Sequence, residues 1–142
     1  MVHSALTHDV DIAILYAILR LRSEVFVVEQ DCAYLDPDGR DLESGCVQLW
    51  VDADEPGAVA ATARLLREGG DHRIGRVCTD PAYRSRRLGT AVMTEAIGLT
   101  GGTAIVINAQ SQYADWYATF GFAATGWEFV EDGIAHTEMR RP

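Results

Sequence analysis

Arg84, Arg86 and Arg87 stand within four residues of one another in an otherwise acidic chain, directly ahead of an apolar stretch with helical spacing. The segment RIGRVCTDPAYRSRRLGTAVMTEAI sets a strand, a basic turn and a helix start in succession. The first amides of a helix have no intrahelical partner, and the macrodipole favours negative charge there. A turn running from Arg84 through Ser85, Arg86, Arg87, Leu88 and Gly89 to Thr90 therefore presents amides and guanidinium groups together, which suits a pyrophosphate. Gly89 allows close backbone approach. An exposed basic turn capping a surface helix would use the same residue types, so both readings stand at this level.

The elements that would carry this turn can be read from periodicity. From about Val10 to Gln30, apolar residues recur at three- and four-residue spacings and predict a helix, weakened near its end by the β-branched run Val25–Val28. Residues 35–45, LDPDGRDLESG, read as a charged loop. Cys46–Val51, Ala58–Leu66 and Arg73–Thr79 read as strands. Leu88, Val92, Ala96 and Leu99 then mark a helix that Gly101 and Gly102 stop. Ala104–Ile107 is a compact apolar strand, and Tyr113, Trp116, Tyr117 and Phe120 line one face of a short helix ended by Gly121. Phe122–Val130 and Ala135–Arg140 are two last strands joined by the hairpin turn Asp132-Gly133. Helix, three strands, helix, strand, helix and two strands point to an α+β fold around one sheet.

Composition narrows the function classes. At 142 residues and 48% hydrophobic content, one soluble domain spanning 1–142 is expected. The first residues lack a secretory pattern, and no apolar run is long enough to span a bilayer, so a cytoplasmic protein without a membrane partner is expected. A net charge of -9 argues against nucleic-acid binding. Cys32, Cys46 and Cys78 are widely spaced, with no CxxC or Cys/His ligand cluster, so reduced thiols and no metal site are expected. All twelve basic residues are arginine, and the chain has no lysine.

The basic turn resembles the acetyl-coenzyme A loop of the GNAT superfamily of N-acetyltransferases, which usually reads Arg/Gln-x-x-Gly-x-Gly/Ala. Here it reads Arg84-Ser85-Arg86-Arg87-Leu88-Gly89, with Arg87 where the middle glycine is expected. LRSEVFVVEQ, ATARLL, IGRV, YATFGF and EDGIAH are similar to the ElaA-like branch of that superfamily and cover nearly the whole chain. The resemblance implies an α+β fold with a strongly bent mixed sheet, splayed between its fourth and fifth strands, here the strands at 73–79 and 103–109. Acetyl-CoA is the implied cosubstrate, its pantetheine arm in the gap, and the implied acceptor is a primary amine of a small molecule or protein. A homodimer is a further expectation from relatives.

By the same resemblance, the backbone of Val77, Cys78 and Thr79 would hold the pantetheine arm and polarise the thioester carbonyl, with Asn108 facing it from the opposite strand. Cys78 reads as a small core residue, since relatives transfer the acyl group directly to the amine. Tyr117 matches the tyrosine that protonates the departing thiolate in many relatives, although its aromatic face would also suit a core. An alkyl amine of pKa about 10.4 is neutral at pH 7 only about once in 2500 molecules, a cost of roughly 4.6 kcal/mol. A proton acceptor is therefore required, and Glu29, His136, Glu128 and Glu131 are the candidates. Arg64 and Arg76 lie in strands, where they would either anchor an acidic group of substrate or salt-bridge to surplus carboxylates, and the second reading is preferred. Two alternatives remain. The first is an acyl-CoA-binding or sensing module without turnover. The second, a nucleotide-binding protein, is weakened by the absence of GxxxxGK[ST] and of a GxGxxG between strand and helix.

Overall fold

The computed structural model describes residues 1–142. Its strands are β1 (His3–Leu6), β2 (Val47–Asp52), β3 (Val59–Glu68), β4 (Asp71–Thr79), β5 (Ile105–Gln110), β6 (Ala123–Glu131) and β7 (Ile134–Arg141), in the sheet order β1-β2-β3-β4-β5-β7-β6. The apolar run of β3 is buried from Val59 to Leu66, as an interior strand covered on both faces should be. Neighbours are antiparallel except β4 and β5, which are parallel. Asp132 and Gly133 both take positive φ, 52° and 76°, as the two-residue turn between β6 and β7 requires.

A helix covers each face. The helix α2 (Leu88–Gly98) buries Val92, Met93 and Ala96 with Leu49, Leu65, Ile105 and Ile107. The helix α1 (Ile12–Arg22) buries Ile18 and Leu21 on the other face with Val59 and Cys78. A short α3 (Ala114–Ala118) follows β5 through a 3-10 turn at Ser111–Tyr113. No helix is long and apolar enough to cross a membrane.

Two elements differ from expectation. The helix predicted to Gln30 is α-helical only to Arg22, and Ser23–Glu29 continues as a π-helix, where the β-branched run disfavours regular turns. The strand β1 was not expected, because four residues with polar His3 and Ser4 carry too little pattern; pairing with β2 decides their conformation.

The sheet opens where the site lies. β4 and β5 pair only at His72↔Ile105 and Arg73↔Val106, then diverge. The β3–β4 register shifts between Thr62 and Arg64, and Arg76, opposite that shift, has φ 53°. Such a bulge bends its strand, so β4 turns away from β5 just before Val77.

Loop 35–45 lies on the α1 face, held by a buried ionic network rather than solvated. Asp36 is 1% exposed and Arg22 is fully buried. Arg22 donates to the Asp36 carboxylate at 2.9 Å and to Asp41 at 2.7 Å. Arg64 donates to Asp38 at 2.9 Å, and Arg76 lies 2.8 Å from Asp36. Arg64 and Arg76 thus pair with carboxylates, as the sequence suggested.

Candidate active site

Beyond Arg73 the β4 edge has no strand partner, and the register decides which groups face the gap. Asp80 N–H donates to Ala60 O at 2.8 Å, and Thr62 pairs with Cys78. Strand alternation then aims the Cys78 backbone groups at β3 and those of Val77 and Thr79 into the gap. Of the three backbone contributors expected, the register therefore offers two. The Cys78 thiol is buried beneath α1, and burial pushes its pKa up to about 12, so it is a core residue and a poor nucleophile.

The basic turn wraps the start of α2 around a cleft of about 160 Å³, lined by Thr79, Arg84, Ser85, Arg87, Gly89 and Trp116 among others. The first intrahelical bond closes at Ala91 N–H to Arg87 O, which leaves the amides of Leu88, Gly89 and Thr90 available. No side chain caps this end and its first turn carries no acidic residue, so nothing competes with an anion. A Cβ at Gly89 would meet the Trp116 ring at 3.4 Å, an ordinary van der Waals contact, so α2 runs close beside α3 here.

Arg87 has φ 58°, the left-handed conformation for which its glycine-bearing counterparts are suited. The turn keeps its shape at a cost of about 1–2 kcal/mol. Arg84 is paired with Glu29 and Arg86 lies 3.9 Å from Asp54, whereas Arg87 has no carboxylate partner and is free for an anion. Arg87→Gly should relieve the strain, offset in part by the extra freedom of the unfolded chain, so that stability changes by under about 1 kcal/mol. Where the guanidinium holds a phosphate of a bound ligand, affinity for that ligand should fall about tenfold. Thermal unfolding and calorimetric titration of the same variant check both.

Other expected residues gather at the open ends of β4 and β5. Tyr117 is partly buried, packed edge-on against Trp116, and burial pushes its pKa up to about 12, with Tyr113 and Cys78 contributing. Asn108 is exposed on β5, two residues past the last β4 contact, with its partner Glu138 beside it on β7. His136 pairs with Gln110 at the end of β5. Its Nδ1 lies 2.8 Å from Ile134 O, which assigns Nδ1 the hydrogen and leaves Nε2 as the basic nitrogen.

Glu29 ends the π-helix and receives two hydrogen bonds from Arg84 at 2.6 Å each. That pairing lowers its pKa and makes it a weak base. Neighbouring Gln30 exchanges amide hydrogen bonds with Gln110, tying this segment across the gap to β5. Glu128 and Glu131 are exposed on β6.

Gln110 and Glu138 were not singled out from the sequence, and Trp116 was read only as part of an aromatic helix face, not as a wall of the cleft. Asn108 and Gln110, and likewise His136 and Glu138, recur at period two on strands whose alternate residues are apolar or buried, and that was the available signal.

The chain matches the family model described as an acetyltransferase (GNAT) domain over residues 30–141. A UPF0039 protein of Mycobacterium tuberculosis is 41% identical over 138 residues, covering 94% of this chain and 88% of the relative. Protein ElaA of Escherichia coli is 34% identical over 142 residues, covering 94% and 90%. An acyl-CoA N-acyltransferase from Pseudomonas aeruginosa superimposes with a TM-score of 0.93 at 35% identity, over 100% of this chain and 99% of that one. The E. coli ElaA structure gives 0.91 at 29% identity with the same coverage.

Proposed function

The chain belongs to the GNAT acetyltransferase family, on the branch that includes ElaA, and from that premise we propose that it transfers the acetyl group of acetyl-CoA directly to a primary amine. The acceptor is a small molecule or an exposed protein amine, met as one domain in the cytoplasm. One observation carries the reading: the β4 edge is unpaired beyond Arg73, and its open end lies beside an uncapped helix start whose Arg87 has no counter-charge.

The amides of Leu88, Gly89 and Thr90, with Arg87, bind the pyrophosphate. Val77 and Thr79 offer the open β4 edge to the pantetheine arm, and the Val77 N–H polarises the thioester carbonyl. Bound acetyl-CoA supplies the activated acyl carbon and a thiolate leaving group. The amine nitrogen forms a bond to that carbon as the carbon–sulfur bond breaks, the amine loses a proton and the thiolate gains one. Tyr117, a phenol already protonated at neutral pH and held so to higher pH by its burial, gives that proton. His136, through Nε2, is the better-suited acceptor of the amine proton, because Arg84 holds Glu29 as a low-basicity carboxylate. Asn108 orients the acceptor from the opposite strand.

Calorimetric titration with acetyl-CoA tests the cosubstrate without a known amine. Micromolar binding that weakens at least about tenfold in Arg84→Ala/Arg87→Ala is expected, from two lost charge-assisted contacts. Absence of binding would overturn the reading. Binding without turnover on any amine would favour the silent acyl-CoA-binding module.

A further inference from the structure

Beside the gap, the α1 face of the sheet continues past His136 and Asn108 into a surface whose other side chains, Glu138, Phe129 and Trp127, have no part in the transfer chemistry above. The Phe129 ring stacks on His136 at 5.3 Å and 10°, and Trp127 lies 4.6 Å from Phe129. Phe129 pairs with His136, and His136 with Gln110, so this row of rings runs from the outer strand β6 towards the open end of β5. Glu138 shares the His136 face of β7 and sits beside Asn108, its carboxylate accepting from Thr125 Oγ at 2.9 Å. Trp127 is 55% exposed although it is among the largest apolar side chains of the chain.

The charge of this surface is one-sided. Arginines on the flanking elements are committed elsewhere: Arg140 of β7 to Asp71, Arg76 of β4 to Asp36 and Asp38, and Arg84 to Glu29. The chain has no lysine, and Glu138 forms no ion pair, since Arg140 on the same face of β7 is drawn to Asp71. An acceptor bearing a carboxylate would meet a carboxylate and the negative faces of aromatic rings; one bearing a second ammonium would meet attraction from both.

Resting on the acetyltransferase reading, we propose that this surface is the acceptor subsite and that it takes primary amines carrying a second cationic centre. The reacting nitrogen lies at Asn108 on β5, and the second ammonium lies between Glu138 and the Trp127–Phe129 rings. β7 and β6 are one and two strand spacings from β5, roughly 5–10 Å, which sets the separation of the two nitrogens. A five-carbon diamine spans it. The second ammonium takes no part in bond making and keeps its proton throughout.

1,5-Diaminopentane and 6-aminohexanoate have nearly the same reach and opposite remote charge. Their kcat/KM values, read by release of the coenzyme A thiol from the full chain, are expected to favour the diamine by at least about tenfold. Both Glu138→Gln and Trp127→Ala should shrink that ratio severalfold, through KM for the diamine. Trp127 is exposed, so its variant keeps the test sound if Glu138→Gln fails to fold. Acetyl-CoA titration of the same preparations separates the two levels of the argument. A chain that binds no acetyl-CoA overturns the acetyltransferase reading. One that binds it yet acetylates neither amine, accepts both equally, or keeps its preference in both variants overturns the subsite alone.

Discussion

Tyr117→Phe is expected to lower kcat by about 10²–10⁴-fold, the range of a lost general acid, while acetyl-CoA affinity stays within about twofold. The substitution removes one oxygen and keeps the ring that packs on Trp116 and approaches Phe122 edge-on. A purely structural tyrosine would tolerate it, because the ring contacts survive. The sign of the pKa shift matters here. Burial raises the phenol to about 12, so it keeps its proton across neutral and mildly alkaline pH. The wild-type rate should therefore show no alkaline fall from loss of this acid. His136→Gln, which removes the Nε2 assigned to accept the amine proton, should lower kcat as well. An unchanged rate in Tyr117→Phe would show that the thiolate takes its proton from elsewhere.

What could be read from residues alone follows how local each determinant is. The spacing of Leu88, Val92 and Ala96 announced α2, because a helix face is written within a few residues. Asp132-Gly133 announced its hairpin for the same reason. The first helix was read too long, since Phe26 and its neighbours continue the apolar spacing while their branching moves the backbone into π turns. Arg87 looked like a defect in a glycine motif. The structure puts it at φ 58°, where an arginine pays backbone strain but adds an unpaired guanidinium, a trade that no local pattern reveals. The surface formed by Asn108, Glu138, His136 and Trp127 comes from three strands, and only the β5–β7–β6 register unites them.

The buried ionic network was the least legible feature, and it supports the second large prediction. Carboxylates in LDPDGRDLESG look solvated because their partners Arg22, Arg64 and Arg76 lie far away in the chain. Asp36 accepts from Arg22 and, at 3.1 Å, from the Tyr34 hydroxyl, so Asp36→Ala leaves the fully buried Arg22 short of a counter-charge. The expected loss is about 3–5 kcal/mol, a large part of the total stability of a domain this size, and a fall in Tm of roughly 10–15 °C. Acid should expose the same network. Burial alone would raise the Asp38 pKa, but the hydrogen bonds from Arg64 and the Arg40 amide outweigh it and lower it to about 2; Asp41 is lowered in the same way by Arg22. A carboxyl whose folded pKa lies below its unfolded value of about 3.9 stabilises the fold above that value and loses the contribution as pH falls towards the folded one. Asp38 itself is exposed, so after solvent screening its share is under about 1 kcal/mol, lost between about pH 4 and pH 2. Urea midpoints should drop steeply across that window in the wild type and less steeply in Asp38→Asn, whose missing charge has already forfeited the gain. Equal slopes would mean that the pairing at Asp38 is offset by its desolvation, and that the loop is held by Asp36 and Asp41 alone.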